Sequence, residues 1–504
     1  MSGEARKVKS AFIPPPVEGV NLIAPPGQLG EQEARSLLNY WVFDSGIRQI
    51  PPFVQTITYT GANSNPVLLN SYDSLIFYSA QNKIFKLSSA TSGSPTDVTG
   101  AATITSGAWN PCVFNKRLFL FNGVDNPLYH DYGGGNVVAF TATGPTVTTL
   151  KQGTGYKSRL YAVQTGSTVV WYGAVGAFSG TFTSFDIGDV LTFGSSTLLC
   201  CFTWSYNQGL QNEELFVFLT NRGEVLIYSG DNPGAANWQL VSKTTIPFPG
   251  GYDVAASGQP FCRVGNDVYI TTQRGVIPLS SIIAGVPVTD STYSISRKIK
   301  NQVSNDTNGG AVDRINPFVY FRDVVSLSSL YVMNYERGAW SSYMPVLPAV
   351  DAKTQIILNV RFFGNYMLIA TGRPDATAGS IGYVDLSASA SSGMTYTWKS
   401  RFSNFGTPTQ KHLKMLRVHG LNYGASSTFK NTAYCSVEFT DAASPTTDTR
   451  STSVAADTNT IQEVVPPAMG RWLSPVLSRV GVDSINERNE IQGIEMIYEE
   501  GGYY

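Results

Sequence analysis

The residues best placed to do chemistry are Asp186 and Asp189, close together in the stretch Phe185–Val190 and just after the aromatic Phe182. Two carboxylates at the right separation could serve as acid and nucleophile in glycoside hydrolysis. Asp and Gly at this density also build tight turns, which is the simpler expectation. Arg222 and Glu224 flank Gly223, and an Arg-Gly step returns at Gly275 in the next strand pair. The arginines could form an anion site, but two hairpins needing a positive φ at Gly223 and Gly275 explain the pattern more simply. Gly133-Gly134-Gly135 lacks the Lys-Ser/Thr that a phosphate loop requires, so it reads as a plain loop. There is no Gly-x-Ser-x-Gly elbow or other local signature of a nucleophile. Trp171, Trp204 and Trp238 could stack on sugar rings, although core packing accounts for them more simply.

Cys112, Cys200, Cys201, Cys262 and Cys435 are odd in number and show no Cys-x-x-Cys spacing, so they are expected to be small buried hydrophobes. His130, His412 and His419 lie apart from any cysteine and from a His-Glu-x-x-His arrangement. We therefore expect no catalytic residue, no metal ligand and no cofactor-binding residue, and hence no enzyme.

The elements that carry these residues are strands. Between residues 54 and 386 an aromatic-rich alternating strand, a Gly or Asn turn and a second strand recur, at Ser74–Leu87, Arg117–His130, Arg159–Tyr172, Glu214–Tyr228, Asp267–Leu279 and Ser329–Tyr343, with a looser copy at Asn365–Leu386. The copies begin about 36 to 62 residues apart, bracketing the roughly 40 to 50 expected for one propeller blade. A lone hairpin cannot bury both faces of such a pattern, whereas radial stacking does. The expectation is an all-β chain whose body, residues 54–390, is a β-propeller of six or seven blades. The pattern of the Ser-x-Asp-x-Gly-x-x-Trp turn, repeated in sialidase propellers, is missing.

Residues 1–53 read as an extended proline-rich arm, with Pro14–Pro16, Pro25-Pro26 and Pro51-Pro52, and a short helix over Gly30–Val42, where acidic residues precede an apolar face. A second short helix is expected over Ser294–Ser304. The Ser/Ala-rich linker Ser387–Met394 marks a boundary near residue 390, and residues 391–504 read as a separate C-terminal β-sandwich-like domain.

The chain has 504 residues, a net charge of −1 and 14% charged residues, against about 25% in an ordinary soluble domain. Near-neutrality argues against tight binding to nucleic acid, which needs clustered Lys and Arg. The scarcity of charge fits either a Thr/Tyr-rich β-protein or a surface covered by neighbouring subunits, since interface cores are poor in Lys, Glu and Asp. No signal-peptide-like or membrane-spanning apolar run occurs, so synthesis in a cytosol is expected.

Three stretches carry a family likeness. Pro16–Phe53 holds a proline-rich lead, an acidic-Ala-Arg-x-Leu-x-Asn pattern (Glu33-Ala34-Arg35-Ser36-Leu37-Leu38-Asn39) and a Gly-x-Arg turn (Gly46-Ile47-Arg48). It resembles the N-terminal segment of tail hub or nozzle proteins of short-tailed bacteriophages. Glu213–Gln239 with Asp267–Ser281 resembles the propeller body of such proteins, and Tyr396–Arg417 resembles their C-terminal sheet domain. The sequence departs from the pattern at Gln49-Ile50-Pro51-Pro52, where Arg-Pro-Gly would follow the turn. The resemblance implies a structural protein of the virion tail, assembled in the host cytoplasm. It would form a homohexameric ring that continues the portal-adaptor channel, retains packaged DNA and conducts it during ejection. Its implied partners are head-to-tail adaptor proteins, other tail proteins and, transiently, genomic DNA, with no stable membrane insertion.

The alternatives are a carbohydrate-binding or carbohydrate-cleaving propeller at the tail tip and a cytoplasmic scaffold of the WD40 type. The latter is disfavoured by the lack of Gly-His and Trp-Asp repeats.

Overall fold

The computed structural model describes residues 7–207, 212–250, 259–283, 294–299, 302–304, 309–347, 355–387, 394–422, 427–441, 445–455, 458–480 and 489–501. The linker 388–393 and residues 300–301 of the expected second helix lie outside the described residues.

Among the described residues, seven antiparallel sheets stand around a common axis. Six are four-stranded, and the one over Phe261–Val264, Asp267–Thr272 and Gly275–Pro278 has three strands. The innermost strands are Val67–Tyr72, Asn110–Phe114, Leu150–Tyr156, Leu198–Asn207, Phe261–Val264, Gly310–Val312 and Ile356–Phe363. Each sheet packs on the next, and the last packs on the first. The fold is a β-propeller. The second strands of the blades, such as Arg117–Phe121 with four consecutive buried residues, lie covered on both faces, so their apolar runs are continuous and not alternating.

A separate apolar cluster fills each of six seams between blades, for example Tyr161, Phe216 and Phe218 between the third and fourth. The ring is closed by Val54–Thr60, which adds as the outermost strand to Ala378–Asp385 of the last blade. The looser copy at Asn365–Leu386 is therefore a complete blade built from both ends of the repeat region.

The described residues between 394 and 501 form two facing sheets, but not alone. In the first, Asn459–Val464, Lys411–Asn422 and Asn489–Glu500 are joined by Lys7–Ile13 and by the hairpin Tyr40–Val42/Ile47–Gln49. In the second, Ser36–Leu38 pairs antiparallel with Thr395–Lys399, beyond which lie Leu473–Val480, Ser427–Val437 and Asp448–Val454. The other edge of Ser36–Leu38 lies parallel to Ala339–Tyr343, the outer strand of the sixth blade. One continuous sheet thus runs from the propeller into the C-terminal domain. A single core holds Phe318, Tyr320 and Val360 from the blades, Leu37, Tyr40 and Val42 from the arm, and Trp398, Leu416 and Leu477 from the C-terminal sheets.

The expected helix over Gly30–Val42 is corrected to three short strands, Glu33–Ala34, Ser36–Leu38 and Tyr40–Val42. Helix propensities differ by at most about 0.7 kcal/mol per ordinary residue, whereas fully burying one large apolar side chain is worth about 1.5–3 kcal/mol. Leu37, Tyr40, Trp41 and Val42 are all buried here, between two sheet edges that also satisfy the main chain. The expected helix over Ser294–Ser304 is likewise reduced, within the described residues, to a 3-10 turn at Arg297–Ile299.

Candidate functional site: the arm junction and the axial cavity

The motif residues of the arm converge where blade, arm and C-terminal domain meet. Arg35 is the centre of this junction. Its Nε donates to the Ser400 carbonyl at 2.8 Å, its Nη2 donates to Ser474 Oγ at 2.9 Å, and its guanidinium stacks over Phe402 at 4.4 Å. It also pairs with Asp441 at 3.2 Å, which receives Lys399 Nζ at 2.6 Å and the Ser436 hydroxyl. Partial burial works against the Asp441 charge, but Lys399, Ser436 and Arg35 outweigh it and hold the carboxyl at about 2.

Asn39 follows four residues later, buried, at φ +65°, a backbone region that Asn tolerates better than most residues. Its Nδ2 donates to the Thr395 carbonyl and its Oδ1 accepts from the Met344 amide, both at 2.7 Å. One side chain thereby links the C-terminal domain to the sixth blade. The Gly-x-Arg turn makes the third fastening. A Cβ on Gly46 would sit 2.4 Å from the Ile491 carbonyl oxygen, so only glycine allows this approach. Arg48 pairs at 3.0 Å with the fully buried Glu490 and lies over Phe43 at 4.2 Å. Just beyond this turn, the Ile50 and Pro51 carbonyls accept hydrogen bonds from the buried Tyr396 and Tyr343 hydroxyls at 2.9 and 3.1 Å.

On the propeller axis lies a cavity of about 880 Å³, lined by residues of all seven inner strands. Arg263 projects into it and donates to Thr203 Oγ1 at 2.5 Å. Arg361 donates to the Leu69 and Val360 carbonyls. The carboxylate of Asp313 is occupied by its own turn, accepting from the Ile315 and Asn316 amides.

No family model matches this sequence, and no curated protein matches it. Solved structures do show similarity. The β-propeller domain of Cps50 (Swd1) from Myceliophteria thermophila is 9% identical with a TM-score of 0.41, over 66% of this chain and 99% of that one. The WD40 propeller of Doa1 is 8% identical with a TM-score of 0.39, over 66% and 97%. Streptogramin B lyase is 13% identical with a TM-score of 0.39, over 66% and 98%. Likeness at this level is one of general architecture.

The chemically suggestive residues are used locally. Asp186 is exposed and accepts from the Thr168 hydroxyl at 2.6 Å and the Gly188 amide at 2.8 Å, while Asp189 lies in the 3-10 turn Gly188–Val190 that follows. Gly223 has φ +83°, and a Cβ there would meet the Ile246 carbonyl oxygen at 2.2 Å; Gly275 has φ +108°. Both are hairpin glycines. Glu224 does not face Arg222 as a surface pair: it is buried and accepts from the Thr192 amide and the Ser196 hydroxyl. Burial pushes its carboxyl up, but these hydrogen bonds and Lys243 prevail and hold it below the ordinary range. In the triple-glycine loop, the Gly133 amide donates to Asp73 and the Gly135 carbonyl contacts His130 Nε2. Trp204 is buried and donates to the Asn266 carbonyl, Trp171 donates to Gln164, and Trp238 stacks on Tyr228 at 5.1 Å.

Cys112, Cys200, Cys201 and Cys262 are buried and Cys435 is half-buried, all with free thiols. Burial pushes the thiols of Cys112, Cys200 and Cys435 up to about 12. Among the described residues no group of three His, Cys, Asp or Glu side chains could hold a metal ion, and no helix is long and apolar enough to cross a membrane. Sequence reasoning missed Lys151, which is 4% exposed and whose ammonium burial pushes down to about 8.

Proposed function

We propose that this chain is a non-enzymatic structural subunit of a bacteriophage tail, assembling as a ring that forms a hub or nozzle through which DNA passes. One observation carries the reading. Two of the three stretches with tail-protein likeness, 16–53 and 396–417, lie more than 340 positions apart in sequence, yet they are hydrogen-bonded to each other in a single junction. The motif residues Arg35, Asn39, Gly46 and Arg48 all serve that junction, and none of them is left free for chemistry. These two stretches thus form one mechanical unit that fixes the propeller to the C-terminal sheets. In this reading the DNA conduit lies between subunits and not along the propeller axis.

Electron microscopy of the intact particle, with native mass spectrometry of the purified chain, tests this reading. The expected result is a ring of copies at the tail. A chain found only as a monomer outside virions overturns the proposal. The carbohydrate reading is not favoured by any specific contact, because Trp171, Trp204 and Trp238 are engaged in packing or hydrogen bonds with the body.

A further inference from the structure

Among the described residues, the first sheet of the C-terminal domain ends on two strands whose outer sides have no backbone partner. Across it the strands run Asn459–Val464, Lys411–Asn422, Asn489–Glu500 and Lys7–Ile13, each antiparallel to the next. Among the described residues, no strand pairs with the outer side of Asn459–Val464 or with the outer side of Lys7–Ile13. Such edges present unpaired amides and carbonyls and are templates for another strand.

The outward face of this sheet divides by strand. Phe12, Glu495, Arg417 and Glu463 form one cross-strand row. Its middle is closed by ion pairs: Arg417 meets Glu463 at 3.0 Å and Glu495 at 3.4 Å, and Lys414 meets Glu499 at 3.0 Å. The exposed apolar side chains stand at the margins, with Val8 and Phe12 at 62% and 57% exposure on one edge strand and Ile461 at 58% on the other, next to exposed Val465. A groove of about 550 Å³ runs along the second margin, with Arg417, Ile461, Glu463 and Glu495 on one side and Arg450 and Thr452 of the flanking strand Asp448–Val454 on the other; at its end the Val465 amide donates to Asp448 at 2.7 Å.

Strand direction decides what fits. Because the four strands alternate, a second copy in the same orientation would bring its Lys7–Ile13 alongside Asn459–Val464 running antiparallel, with the same face outward. The hydrogen-bonding pattern then continues from copy to copy without reversal. Continuing the cross-strand row sets the incoming Phe12 beside Glu463, between Ile461 and Val465, so the apolar margins cover each other. Such a contact uses two different patches and is heterologous, the kind that closes into a ring by rotation.

We propose that copies of this chain associate head to tail by pairing Lys7–Ile13 of one with Asn459–Val464 of the next. The proposal names the interface for the ring read above and rests on that reading. Cysteine cross-linking of the full chain tests it. Ser10→Cys is combined in turn with Ile461→Cys, Glu463→Cys and Val465→Cys, and the oxidised protein is run on non-reducing gels. At least one pair is expected to give a ladder of covalent oligomers, while each single variant stays monomeric. In parallel, Phe12→Lys and Ile461→Lys are each expected to weaken self-association at least tenfold by sedimentation with an unchanged melting temperature.

Dimers from Ser10→Cys alone would mean that this edge pairs with itself, overturning the proposal. A chain that assembles without any ladder would place the interface elsewhere and leave the tail reading standing. A chain that is monomeric at every concentration and gives no ladder also overturns the proposal. A ladder from a chain absent from virions would instead sink the tail reading and keep the interface.

Discussion

Asp441 shows how a single carboxylate at the junction makes its stability depend on pH. Its native pKa of about 2 lies below the ordinary carboxylate value of about 4. The stabilisation it provides is therefore fully present above about pH 4 and is lost as pH falls through about 2. In thermal melts at fixed ionic strength, Asp441→Asn should melt below wild type at neutral pH, and the gap should close as pH approaches 2. A gap independent of pH would mean that the charge contributes nothing. Lys151 is shifted in the same direction, but here it is the charged form that destabilises the fold. Its pKa falls from 10.5 to about 8 because burial penalises the ammonium, so the unfolded chain holds the proton more tightly between those values and stability rises with pH across that window. Lys151→Met should stabilise the protein at pH 7 by up to something on the order of 3 kcal/mol, a gain that shrinks to nothing above about pH 10.5. Denaturant titrations at pH 7 and 10.5 measure both ends. The same residue scale shows which local roles could be read from the sequence. Asp186 and Asp189 were legible as a turn from their spacing, but nothing in the local sequence around Glu224 signals that it folds inward onto Thr192 and Ser196.

At the scale of elements, local pattern and long-range pairing parted company. The recurring strand pairs were legible because each blade's apolar run and turn glycine are contained within some fifteen neighbouring residues. The arm was not. Ser36–Leu38 becomes a strand only because Ala339–Tyr343 and Thr395–Lys399 offer it two edges, and no window around residue 36 contains that information. The blade count stayed open for a related reason: one sheet has three strands, and another borrows its outer strand, Val54–Thr60, from before the first copy. The pairing makes a direct prediction for fragments. Residues 54–390 contain every strand of the ring and should fold alone, with cooperative melting. Residues 391–504 lack Lys7–Ile13, Ser36–Leu38 and the hairpin at 40–49, so they should stay unfolded alone and gain sheet structure by circular dichroism when a peptide spanning 7–50 is added. A stably folded 391–504 fragment would show that the arm merely decorates a finished domain.

On the scale of the whole molecule, the propeller supplies bulk and the junction supplies rigidity. The core shared by the sixth and seventh blades, the arm and the C-terminal sheets is one body, so the two domains cannot swing independently without opening it. That coupling was only half legible. The change of character after residue 394 marked a second domain, whereas its dependence on residues 7–49 required knowing where both chain ends lie in space. Because Lys7–Ile13 finds its partner in Asn489–Glu500, this strand leaves the ribosome long before its mate and is among the last to be satisfied. At about 5–20 residues per second, the arm waits roughly half a minute to two minutes in solution before its mate exists. Its prolines at 14–16 and 25–26 lack the amide needed to pair with other chains during that interval. The composition that made the arm look unstructured is what keeps it available until the rest of the chain arrives.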